Sequence, residues 1–154
     1  MNLLSALWFS VFALAISIED LRKFKISNRL LGLLFLMIIT KSLVMGTFFV
    51  DAFSGVIFLL IFSTVHLLGK FVSPDLAIGF GDVKLISVLT FGYVDLGFRS
   101  LEIFFIALWL ALLVQISLEY MFRRKFLSRI AMAPSIFLAT ALYLWAPLGL
   151  LLPQ

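Results

Sequence analysis

Val56-Ile57-Phe58-Leu59-Leu60-Ile61-Phe62 is the centre of an apolar stretch that runs from Phe48 to Leu68, and a second continuous run spans Leu30 to Ile39. A membrane β-barrel would show segments of about ten residues with alternating polarity, whereas a membrane-spanning helix needs about 20 mostly apolar residues in succession. The runs are unbroken, so helices are expected. The 154 residues are 64% hydrophobic and 13% charged, include 18 phenylalanines and have a mean hydropathy of +1.21. A water-soluble domain carries roughly a quarter charged residues and about half apolar ones, so it could not cover this much apolar surface. The soluble class is excluded. Six spans would take ~120 residues and leave about 34 for ends and connections. The expectation is an all-α polytopic membrane protein, a bundle of about six transmembrane helices in a single domain over 1–154. The spans are expected at Asn2–Ile18, Ile26–Met45, Phe48–Leu68, Val83–Phe98, Leu101–Phe122 and Ile130–Leu151.

Positively charged connections stay on the cytoplasmic side, so the basic residues orient the bundle. The first connection holds Arg22, Lys23, Lys25 and Arg29, the third Lys70 and Lys84, and the fifth Arg123, Arg124, Lys125 and Arg129. Only Lys41 and Arg99 occupy the second and fourth, a division of ten against two. Both termini are therefore expected outside. Ala13-Leu14-Ala15 resembles the end of a signal peptide, but the positive charge follows the apolar stretch instead of preceding it. Residues 1–18 read as a retained first helix. The net charge of +4 lies in these loops, so it is explained by topology and not by nucleic acid. Lipid is the partner that composition demands. There is no cysteine, which removes a thiol nucleophile and a Cys-type zinc site, and the lone His66 has no further ligands at helical spacing; no metal or cofactor is expected.

Ionisable groups in or near a bilayer are costly and tend to be functional, so each of the eight acids can be weighed. Asp51, Asp95 and Glu102 lie near outer helix ends, within reach of water. Glu119 precedes the Arg123-Arg124-Lys125 cluster, and Asp75 follows Ser73-Pro74 in a turn. Asp20 and Asp82 remain: Asp20 closes the first apolar helix, and Asp82 opens the fourth directly after Gly79-Phe80-Gly81. The loop charges put both at the cytoplasmic end. Two carboxylates that approach closely cannot both ionise easily, so one can take a proton from water while the other donates to a carbonyl under attack. That chemistry suits amide hydrolysis. Gly79 and Gly81 permit backbone conformations that bulky residues resist and leave room for an extended peptide beside Asp82.

Gly79-Phe80-Gly81-Asp82-Val83-Lys84-Leu85 resembles the Gly-x-Gly-Asp-Val-Lys-Leu signature of the type IV prepilin leader peptidases, a branch of the Gly-x-Gly-Asp membrane aspartyl proteases. Asp20-Leu21-Arg22 with Ile26-Ser27-Asn28 resembles that family's first motif, Asp-x-Arg/Lys followed by Ile-Pro-Asn, with Ser27 in place of proline. Ile130-Ala131-Met132-Ala133-Pro134-Ser135 resembles its Ile-Pro-Phe-Ala/Gly-Pro segment with the first proline lost. The resemblance implies removal of the short basic leader of prepilins or pseudopilins at the cytoplasmic face of the inner membrane. It makes Asp20 and Asp82 the catalytic pair, with Gly79, Gly81, Lys84, Arg22, Asn28 and Pro134 shaping the site or orienting substrate. Larger members add a cytoplasmic Cys-x-x-Cys segment and methylate the product. Without cysteine, this chain is similar to the short peptidases of Tad/Flp pilus systems, and archaeal preflagellin peptidases share the same aspartate logic.

Two other readings use the same acids. A small transporter or assembly subunit would bind ions or protons at Asp20 and Asp82, but transporters commonly place such acids near the midplane between related halves, and no internal repeat is visible. A presenilin-like or signal-peptide-peptidase-like protease would typically have tyrosine before its first aspartate, where this chain has Glu19. Phenylalanines and Trp8, Trp109 and Trp145 read as packing and lipid-facing surface. Pro134 and Pro147 are expected to kink the last helix.

Overall fold

The structure is a computed structural model that describes residues 3–72, 78–123 and 130–145. Among the described residues the protein is all-helical, with α1 Leu3–Lys23, α2 Asn28–Met45, α3 Phe48–Val72, α4 Phe80–Tyr93, α5 Phe98–Arg123 and α6 Ala133–Trp145. Three of them, α2, α3 and α5 (its stretch Phe98–Met121), are long and apolar enough to cross a membrane. The fourth helix is shorter than expected. With 14 residues it rises about 21 Å, less than the ~30 Å apolar core of a bilayer.

The helix ends correct several sequence expectations. The first helix does not stop near Ile18 but continues to Lys23, which places Asp20 inside its last turns. Phe24 ends it in the left-handed region at φ +50, its N–H donating to the Asp20 carbonyl at 2.8 Å. A glycine fills the equivalent role after α2: Gly46 has φ +72, and its N–H and that of Thr47 donate to the carbonyls of Leu43 and Ser42. Helix α4 starts at Phe80 instead of Val83 and ends at Tyr93 instead of Phe98. Pro134 does not kink α6. It lies in the first turn, where the missing N–H has no helical acceptor to lose, and the helix begins at Ala133 instead of Ile130. Pro147 lies outside the described residues.

The chain forms two compact units. One comprises residues 1–30 and 102–154, where α1 packs against α6 and α5 also meets α6. Phe9 meets Phe137 and Trp145 edge to face, and Phe104 meets Tyr143 in the same way. Between helices in lipid, association rests on close packing because the tails are as apolar as leucine. Small residues permit this, and Ala107, Ala111, Ala133 and Ala139 are all fully buried.

The other unit, residues 31–101, is built around α3 against α4, with α2 alongside. Gly55 of α3 lies on Phe91, and Gly92 of α4 lies on Ile38 of α2. A Cβ on Gly92 would sit 2.1 Å from Ile38 Cγ2, so a larger residue must push two helices apart. Gly92→Val is expected to cost about 1–3 kcal/mol in thermal unfolding in detergent. Gly32→Ala is the control: an added Cβ there meets nothing within 4 Å, and because Gly32 lies inside α2 the change should raise stability by about 0.5–1 kcal/mol instead of lowering it.

Several polar groups among the described residues of this unit find partners within it. Asp51, expected to rely on water, accepts hydrogen bonds from Ser42 Oγ at 2.5 Å and Thr47 Oγ1 at 2.6 Å. Lys41 donates to the Gly92 carbonyl at 2.9 Å, with its ammonium 4.3 Å from the Tyr93 ring centroid. Buried Ser54 donates to the carbonyls of Thr90 and Val94, tying α3 to the end of α4.

Candidate active site

Asp20 belongs to the first unit. Its continuation of α1 turns the side chain inward, and only 4% of the residue is exposed. Its Oδ2 accepts the backbone N–H of Ala133 at 2.9 Å, across 113 positions of sequence. Ala133 opens α6, so its amide lacks an intrahelical acceptor and the carboxylate supplies one. The first and third motif segments therefore meet. Asp20 lies beyond Ile18, where the apolar stretch of α1 ends. Burial pushes its carboxyl above the usual carboxylate range, and the Ala133 N–H, which favours the ionised form, offsets part of the rise.

The pH consequence follows from that direction. Asp20 holds its proton more tightly in the folded chain than at its ordinary value of 3.8, so its contribution is fully present below that value. Stability is lost as pH rises through the higher folded value. Asp20→Asn has no carboxylate to bury, and its amide oxygen can still accept the Ala133 N–H. Thermal unfolding across a pH series should show similar melting of both proteins in acid and a higher melting temperature for Asp20→Asn towards neutrality.

The segment that meets Asp20 is held from its other side by Gln115 of α5. Gln115 Nε2 donates to the Ala131 carbonyl at 2.7 Å and to Glu119 Oε1 at 3.1 Å, while its Oε1 accepts from the buried Ser135 hydroxyl. Gln115 lies outside the three motif segments, and Ser135 closes the third without a role implied for it. The available signal was a polar amide inside an otherwise apolar span, which has to find partners there.

Asp82 belongs to the second unit, in the first turn of α4, where the positive end of the helix dipole favours an anion. It is half-buried. The N–H groups of Asp82 and Val83 donate to the Gly79 carbonyl at 3.0 and 3.2 Å, so Gly79 starts the helix. The carboxylate folds back over it: a Cβ on Gly79 would lie 2.7 Å from Asp82 Oδ2. Gly79 has φ −61 and ψ 137, which any residue can adopt, so its value here is space and not the unusual backbone expected from the sequence. Gly81 is the second residue of α4.

Upstream, His66 Nδ1 of α3 lies 2.5 Å from the Ile78 carbonyl, and its ring is 5.7 Å from that of Phe80. Half-buried Lys84 places its ammonium 5.1 Å from the Phe80 centroid. Arg22 is exposed in the last turn of α1, and Asn28 is exposed as the first residue of α2. Pro134 is half-buried beside Ala133. Of the acids outside the pair, Glu19 bonds Lys23 at 3.1 Å and Glu119 is held by Gln115, while Asp75 lies outside the described residues.

The chain matches no protein-family model, no curated protein and no solved structure.

Proposed function

We propose that this chain is a membrane-embedded aspartyl endopeptidase that removes the short basic leader of type IV prepilins or pilin-like proteins, with Asp20 and Asp82 as the catalytic pair. The observation that carries the reading is the bond between Asp20 and Ala133, which joins two of the three segments resembling that family and buries the first aspartate. Burial of a carboxyl that could have been solvated is costly and is typical of acids used in proton transfer. The reading puts the chain in the cytoplasmic membrane, with its N-terminus outside and both acids at the cytoplasmic face. It needs no cofactor and no nucleic acid.

Asp20, the carboxyl disfavoured as an anion, donates its proton to the carbonyl oxygen of the scissile peptide bond. Asp82 as carboxylate takes a proton from water, whose oxygen adds to the carbonyl carbon. The tetrahedral gem-diol then collapses: Asp82 gives its proton to the departing nitrogen, a hydroxyl proton returns to Asp20, and the C–N bond breaks. Water and one amide yield one acid and one amine, and both aspartates regain their starting states. The substrate's peptide must be unwound at this point, because helical amides are hydrogen-bonded and shielded.

The test is co-expression of the full chain with prepilins of the same genome, with the mature N-terminus determined by mass, beside Asp20→Asn and Asp82→Asn at matched levels. Leader removal by the wild type alone supports the proposal. Intact prepilins together with an ion flux that needs both acids would establish the transporter reading in its place.

A further inference from the structure

We propose that His66 is a positioning residue for Asp82, acting through the peptide group that precedes the Gly79–Asp82 turn; the assignment rests on the peptidase reading above. The Ile78 carbonyl can only accept a hydrogen bond, so the 2.5 Å contact requires His66 Nδ1 to carry the proton. The bond fixes the orientation of the Ile78–Gly79 peptide plane. Gly79 is the residue over which the Asp82 carboxylate lies and whose carbonyl receives the N–H groups of Asp82 and Val83 in the first turn of α4. A rotation of that plane therefore moves both the start of the helix and the floor beneath Asp82. The imidazole ring also stands beside Phe80, the residue between the two glycines, at 5.7 Å between centroids.

The geometry explains why an imidazole occurs in an apolar helix. His66 lies near the cytoplasmic end expected for α3, and this helix packs directly on α4. A leucine there would satisfy packing but would leave the Ile78 carbonyl without its N–H donor. Loss of such a donor does not remove a reacting group. It loosens the placement of one, and a misplacement of about 1 Å can cost on the order of a hundred-fold in rate.

Three variants of the full chain separate this role from a structural one. His66→Leu removes the donor and is expected to lower kcat for leader removal by about 10- to 100-fold, with KM within roughly two-fold. His66→Asn carries an amide N–H near the position of Nδ1–H and should recover most of that loss, whereas His66→Gln reaches too far and should not. Because the chain has a single histidine, ¹⁵N-histidine labelling gives an unambiguous readout independent of cleavage. At a pH where the ring is neutral, the Nδ1–H tautomer is expected, and the Nε2–H tautomer would overturn the assignment. Full activity of His66→Leu, with Asp82→Asn inactive, overturns the positioning role and leaves the peptidase reading standing. A wild type that cleaves no prepilin overturns both.

Discussion

Asp20→Asn and Asp82→Asn will each reduce leader removal by roughly a hundred- to ten-thousand-fold while leaving the protein folded. Asparagine keeps the shape of aspartate and one acceptor oxygen, so at position 20 it can still receive the Ala133 N–H that ties α1 to α6. At position 82 it can still fold back over Gly79. What it cannot do is exchange a proton. In the proposed cycle each aspartate moves one proton in each direction, so loss of either stops both halves. The double substitution should therefore be little worse than either single one, because residues acting as a unit are not additive. Cleavage by single-turnover assay in lipid vesicles, beside melting curves of the same preparations, measures both quantities. A variant that cleaves at the wild-type rate would remove its aspartate from the mechanism.

The architecture was legible because it depends on bulk properties: apolar runs at 30–39 and 56–62 lie inside helices α2 and α3, and six helices are present among the described residues. The ends were less legible, since they turn on local geometry that composition does not encode. Glu19 and Asp20 look like the exit from a span, yet α1 continues past them because Asp20 has a buried amide to bind. Pro134 looks like a kink, and its effect depends on whether the helix begins before it or around it. At the candidate site, Asp20, Asp82 and their glycines could be chosen from motif. Gln115, Ser135 and the His66–Ile78 bond could not, because their meaning lies in partners 12 to 20 positions away, and no spacing within one helix reports them.

Gly79→Ala will separate folding from chemistry more sharply than either aspartate substitution. The backbone at Gly79, φ −61 and ψ 137, is open to alanine, and alanine restricts the unfolded chain, which offsets the cost of displacing the carboxylate, so stability should stay within about 1 kcal/mol of the wild type. Activity should nevertheless fall by about 10- to 100-fold. The new methyl would lie 2.7 Å from Asp82 Oδ2, inside ordinary contact distance. Two things could yield, the start of α4 or the Asp82 side chain. Helix α4 is anchored by buried Val83, Leu85, Ile86 and Leu89, whereas the atom the methyl meets is the far end of the Asp82 side chain, so the carboxylate is the part that shifts. The carboxylate moves and the helix stays. If Asp82 has only a structural role at the start of α4, Gly79→Ala should disturb stability and not cleavage; if it is a reacting group, the order is reversed. Thermal melting and single-turnover cleavage on one preparation decide between the two, and a Gly79→Ala protein with wild-type cleavage would show that the space above this glycine does not serve the reaction.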